Sequence, residues 1–159
     1  MFNYRQIESK DNKVIANIIR KNLEKYHLDI PGTAYYDPQL DSLSDYYYDS
    51  KDRIYFVALN ELNQVVGGIG IDRFEGIPDC AEIQKLYLDD SIKGQSYGKS
   101  LMTIATNWAK KVGYKQLYLE THHNLKEAIG LYEKFDFNLI SKPKSVVHGT
   151  MDRFYLKQI

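Results

Sequence analysis

The feature that most narrows the folds open to this chain is one run from Cys80 to Gly113. "CAEIQKLYL" (Cys80 to Leu88) is rich in β-formers, and "DDSIKGQSYGKSLM" (Asp89 to Met102) then carries Gly94 and Gly98 in a polar loop. Leu101, Met102, Ile104, Ala105, Trp108, Ala109 and Val112 recur at helical spacing as far as Gly113, which suits the left-handed residue that ends a helix. A strand feeding a glycine-bearing loop and a long amphipathic helix needs a sheet on which that helix can lie. The same succession makes an anion site, because the first N–H groups of the helix lack internal partners and carry the positive end of its dipole.

The rest of the chain supplies the sheet. Asn3 to Ile7 read as a first strand, and Ser9 as the N-cap of a helix over Asp11 to Tyr26 striped by Val14, Ile15, Ile18, Ile19 and Leu23. Pro31, Gly32 and Pro38 punctuate the chain before a shorter helix over Asp41 to Tyr48. "RIYFVALN" (Arg53 to Asn60) and "VVGGIGID" (Val65 to Asp72) predict a hairpin; "KQLYLE" predicts a further strand, and Ala128, Leu131, Tyr132 and Phe135 a further helical face. "FNLI" and "DRFYLKQI" complete the order β-α-α-β-β-β-α-β-α-β-β, a mixed sheet with helices packed on it. With 159 residues and no repeat or linker, one domain over residues 1–159 is expected.

Charge and cysteine content exclude several function classes. Lys plus Arg and Asp plus Glu both total 21, so neither a nucleic acid nor an anionic membrane is an expected partner. Cys80 is the sole cysteine, which rules out an intrachain disulfide and a cysteine-rich zinc site. No signal-peptide core or membrane span is legible, and a cytoplasmic location is expected.

"AEIQKLYLDDSIKGQSYGKSLM" resembles the acetyl-CoA-binding core of the GNAT superfamily of N-acetyltransferases, in which a strand leads to Q/R-x-x-G-x-G/A at the start of a helix. Lys93 takes the Gln/Arg position, Ser96 the first glycine and Gly98 the second, so two of the three fixed positions depart from the pattern. "LKEAIGLYEKFDF" (Leu125 to Phe137) resembles the second family signature, with Asp136 in place of its glycine. The resemblance covers nearly the whole chain. It implies an α/β fold in the broad sense, an α+β mixed and mostly antiparallel sheet of about seven strands with about four helices.

The resemblance also implies acetyl-CoA as acyl donor, with no metal, and a direct attack by an amine in a ternary complex. Backbone groups at Leu86, Tyr87 and Leu88 would hold the pantetheine arm. Lys93, Gly94, Gln95, Ser96, Tyr97, Gly98, Lys99 and Ser100 would form the pyrophosphate cradle. A left-handed Ser96 would carry strain of about 1–2 kcal/mol. Asn124 stands one residue from the position where relatives contact the cofactor, with Leu125 at the usual place. Tyr132, the tyrosine of "LYEK", corresponds to the general acid that protonates the leaving sulfur, although its helical face also suits plain core packing. Glu82 corresponds to a base that some relatives use; a solvated glutamate is the plainer reading.

Between Leu28 and Ser50 there is no Lys or Arg, while Asp37, Asp41, Asp45 and Asp49 recur every fourth residue among Tyr35, Tyr36, Tyr46, Tyr47 and Tyr48. On a helix those carboxylates would share a face, where like charges repel mildly. Tyr35, Tyr36, Asp37 and Asp41 are therefore candidates to bind a cationic primary amine, a small molecule or a peptide N-terminus, and the alternative is a polar face with tyrosines turned inward. His148 and Asp152 are further candidates near the acceptor. His122 and His123, as strand neighbours, should point to opposite faces and make a poor chelate. Homodimers are frequent in this family, but the sequence marks no interface. The rival to an enzyme is a degenerate domain of the same family that binds acyl-CoA as a sensor or partner module.

Overall fold

A computed structural model describes residues 2–146 and 149–159; His148 lies outside them. Seven strands form one sheet in the order β1-β2-β3-β4-β5-β7-β6. They are β1 (Asn3–Gln6), β2 (Ile54–Leu59), β3 (Val65–Arg73), β4 (Cys80–Leu88), β5 (Gln116–Thr121), β6 (Asn138–Ile140) and β7 (Arg153–Gln158). The helices are α1 (Asn12–Lys25), α2 (Leu43–Tyr48), α3 (Tyr97–Val112) and α4 (Lys126–Lys134). Every neighbouring pair of strands is antiparallel except β4 and β5, which run parallel with α3 as the connection between them. The expected element order and mixed sheet are observed.

Alternation along the strands divides the core in two. On one face Ile69, Ile71, Ala81, Ile83, Leu117 and Leu119 pack under the apolar stripe of α3 and under Tyr132 of α4. On the other, Tyr55 and Val57 pack under α1 and α2, against Ile15, Ile19, Leu23 and Tyr47. Asn12 and Ser44 tie those two helices together, Asn12 Nδ2 donating to Ser44 Oγ and Ser44 N to Asn12 Oδ1, each at 2.9 Å.

Two local expectations are corrected. Ser9 does not cap α1: Ser9–Asp11 form a 3-10 turn, and α1 begins at Asn12. The cause is Asp11, whose buried carboxylate accepts from Glu8 N at 2.8 Å and from both Arg5 amino groups at 2.6 and 3.1 Å. Burial acts against that charge, but the Arg5 and Glu8 hydrogen bonds hold the Asp11 carboxyl below its ordinary range. The second helix starts at Leu43, not Asp41, so the aspartates from Asp37 to Asp49 never share one helical face.

Candidate active site

β4 is held differently along its two halves. Cys80, Ala81 and Glu82 pair with Gln116, Leu117 and Tyr118 of β5, and there the ladder stops, although β5 runs on to Thr121 and β4 to Leu88. The strands splay, and the edge of β4 from Ile83 onward keeps backbone groups for a partner other than a strand. Opposite Ile69 of β3 this half carries two residues, Lys85 and Leu86, a bulge with Lys85 in the left-handed region at φ 48°. Strict alternation would place Glu82, Gln84 and Leu86 on one face. The extra residue turns Leu86 toward the α3 side, beside Leu88, and leaves Glu82, Gln84 and Tyr87 together on the α1 and α2 side.

Three side chains hold the splayed half from that side. Tyr55 Oη donates to Lys85 O at 2.9 Å, Tyr47 Oη to Gln84 Oε1 at 2.7 Å, and Asn22 Nδ2 to Leu88 O at 2.9 Å. Two glycines of β3 make room for the phenols. A Cβ on Gly68 would lie 2.4 Å from Tyr55 Cε1, and one on Gly70 2.3 Å from Tyr47 Oη.

A cavity of about 580 Å³ opens in the splay. Leu88, Gly94 and Gly98 line one end of it; Glu82, Lys85, Asp37 and Glu120 line the other; Tyr87 and Tyr132 line the wall as well. Burial pushes the Glu82 carboxyl up to about 7, opposed by a hydrogen bond from Gln84 Nε2 at 2.9 Å and reinforced by the charge of Glu120. Burial likewise raises the Tyr87 phenol to about 12 and pushes the Tyr132 phenol up strongly. Tyr132 is 6% exposed and makes no hydrogen bond to protein among the described residues. No fully enclosed side-chain oxygen there lacks a partner, so its hydroxyl is open to the cavity.

The loop after β4 meets α3 at Ser96, which is left-handed with φ 67°, two residues after Gly94 at φ 82°. Serine thus occupies a conformation that normally favours glycine, with strain of about 1–2 kcal/mol. A Cβ on Gly98 would stand 3.2 Å from Leu131 Cδ2, so this glycine lets α3 approach α4 closely. The Lys93 ammonium reaches Asp90 Oδ1 at 2.8 Å and Asn22 Oδ1 at 2.9 Å.

Residues 23–137 match the acetyltransferase (GNAT) family. The chain belongs to the GNAT acetyltransferase family. The uncharacterized N-acetyltransferase YjgM of Escherichia coli (strain K12) is 38% identical over 138 residues, 86% of this chain and 81% of that protein. A GNAT-family acetyltransferase from Staphylococcus aureus Mu50 superposes with a TM-score of 0.86 at 19% identity, covering 99% of both chains. The PaiA N-acetyltransferase of Thermoplasma acidophilum, solved in complex with coenzyme A, superposes at 0.77 and 18% identity, covering 100% of this chain and 99% of that one. This GNAT chain is an acyltransferase.

The GNAT fold gathers some of the expected residues and disperses others. Leu86, Tyr87, Leu88, Lys93, Gly94 and Gly98 line the main cavity, and Ser96, Tyr97 and Lys99 line an adjoining depression between α3 and α4. Gln95 turns back to Ser91 O at 3.2 Å, and Ser100 N bonds Ser96 O within the first turn of α3. Asn124 Nδ2 donates to Tyr26 O at 3.0 Å, and Leu125 lines the cavity instead. Tyr36 and Asp37 line the cavity at its Glu82 end, but Asp37 is paired with Lys85 at 2.8 Å. Asp41 binds both amino groups of Arg20 at 2.8 Å on the outer side of α1, and Tyr35 Oη reaches Glu24 at 3.3 Å. Neither of those two lines the cavity. Sequence reasoning missed Gln84, Lys85 and Glu120; only the two-residue spacing of Gln84 from Glu82 signalled the first.

The histidine pair is also corrected. β5 ends at Thr121, so His122 and His123 escape strand alternation, and their rings lie 4.1 Å apart. His123 Nδ1 makes a short hydrogen bond to Asp152 Oδ2, and the ligand-type atoms of His122, His123 and Asp152 all lie within 4.8 Å of one another. His122 Nδ1 accepts from Asn124 N at 3.1 Å, and its Nε2 faces Asp152 at 3.9 Å.

Proposed function

We propose that this chain acts as one domain that transfers an acetyl group from acetyl-CoA to a primary amine by direct attack in a ternary complex. The observation that carries the reading is the splay itself. It sets the unpaired edge of β4, the open Tyr132 hydroxyl and the half-buried Glu82 carboxyl along one cavity. Acetyl-CoA supplies an activated thioester. Main chain at Leu86 to Leu88 holds its pantetheine arm, and the N–H groups of Gly94 and of Ser96 to Lys99 meet its pyrophosphate, those of Lys93, Gln95 and Ser100 being bonded within the loop and the first turn of α3. Glu82 takes a proton from the bound ammonium, and the neutral nitrogen attacks the carbonyl carbon. As the tetrahedral adduct collapses and the C–S bond breaks, Tyr132 gives its proton to the sulfur, and the resulting phenolate takes the second proton from the acylated nitrogen. A phenol held neutral by burial is always charged with that proton.

For the acceptor we infer a cationic amine. Asp37 and Asp41 each have a cationic partner, whereas Glu82 and Glu120 at the same end of the cavity have none closer than 4 Å among the described residues. The exposed ring of Tyr36 adds a face for cation–π contact. The test is steady-state thiol release from acetyl-CoA with a panel of monoamines, polyamines and peptides. Turnover with amines that Tyr132→Phe slows by ~10²-fold or more supports the reading. No turnover with any amine, or full activity in the variant, rejects it.

A further inference from the structure

Glu82 is the end of a buried chain of hydrogen bonds that starts in α2. Tyr47, 1% exposed, donates its hydroxyl to Gln84 Oε1 at 2.7 Å, and Gln84 Nε2 donates to Glu82 Oε1 at 2.9 Å. The chain has a direction. A phenol in so apolar a place stays protonated and donates to the Gln84 oxygen, while the ionised Glu82 carboxylate, which can only accept, calls for the amide's N–H end. The amide nitrogen is then left for Glu82. The ring has little room to give up this contact: it sits over Gly70 with no Cβ beneath it and packs on Tyr46 and Tyr55 at 5.0 and 5.3 Å between centroids.

We propose that Gln84 and Tyr47 are positioning residues that hold Glu82 as a proton acceptor aimed into the cavity. This rests on the reading of Glu82 as the base. An N–H directed at Oε1 favours the carboxylate over the acid and leaves Oε2 to receive the amine proton. The charged groups that act on Glu82 have partners of their own. Glu120 accepts from Tyr118 Oη at 2.8 Å, Asp72 on β3 from Tyr46 Oη at 2.6 Å, and Lys85 is paired with Asp37. Without the amide, burial and the charges of Glu120 and Asp72 would act on Glu82 opposed only by Lys85.

The experiment is the pH profile of kcat/KM for the acceptor, each variant read against its own plateau. Gln84→Met removes the donor at nearly constant length and is expected to move the acidic limb up by about one pH unit. Tyr47→Phe, which frees the amide to turn, should move it the same way by about half as much. Thermal melts check that both variants fold. A limb left at the wild-type pH in both folded variants overturns the proposal. Glu82→Gln separates the two readings. If it abolishes the limb while Gln84→Met leaves the limb in place, the base stands and the positioning falls. If the limb survives Glu82→Gln, the base reading itself has failed.

Discussion

At one end of the cavity the wall is built around one stretch, residues 86–98, backed by Asn22, Tyr26 and Leu131; at the other it is drawn from residues 32–37, 82–85, 120–121 and 151. A ligand at the first end meets N–H groups whose directions follow from the strand, the loop and the start of α3. A ligand at the second meets charges whose positions depend on how distant segments pack. On the proposed reading, the first end recognises what every donor of one class shares, a pantetheine and a pyrophosphate. The second is free to differ from one chain to the next.

That contrast sets the scale of expected effects. The largest belongs to the groups proposed to react: Tyr132→Phe and Glu82→Gln are each expected to lower kcat by ~10²–10³-fold, measured by thiol release at pH 8. Next comes pH. A base with its carboxyl raised to about 7 is charged above that value, so kcat/KM should fall about tenfold per unit as pH drops below it. Gly70→Ala sets a methyl against Tyr47 and should cost about 1–3 kcal/mol in chemical denaturation, with acceptor KM rising more than acetyl-CoA KM. Asp37→Asn frees Lys85 within the cavity and should raise acceptor KM several-fold, about 1 kcal/mol. Asp41→Asn loses only a pairing on the outer side of α1 and should leave both KM values unchanged. Equal effects of those two aspartates would break the division between the ends. Ser96→Gly acts on the fold and not on the acceptor: it relieves a left-handed serine and should stabilise the protein by about 1 kcal/mol in chemical denaturation.

The same division explains what was legible in the sequence. The strand, the loop and α3 lie in one stretch, and their periodicity and glycines announce them without reference to the rest of the chain. The bulge at Lys85 left no such mark, since lysine carries no turn signal and "CAEIQKLYL" reads as an unbroken strand. Gly68 and Gly70 signalled a close approach, but not that Tyr47 and Tyr55 would supply it. The aspartate run misled because a spacing of four carries meaning only on a helix, and the chain from Asp37 to Ser42 is turn and 3-10. Asp11 acted similarly at α1, where an ion pair with Arg5 reset the helix start that Ser9 suggested.

The extra residue at Lys85 has a consequence for how such a chain can change over generations. Before it, β4 pairs with β3 and, as far as Glu82, with β5; after it, the strand pairs with β3 alone and is held by Asn22 and Tyr55. The bulge works as a clutch between those two registers. Mutations that shift the acceptor side, at Glu82 or in the segments that face it, need not be transmitted to Leu86, Leu88 and the loop beyond. A lineage can try new acceptors while its grip on the donor stays where it was.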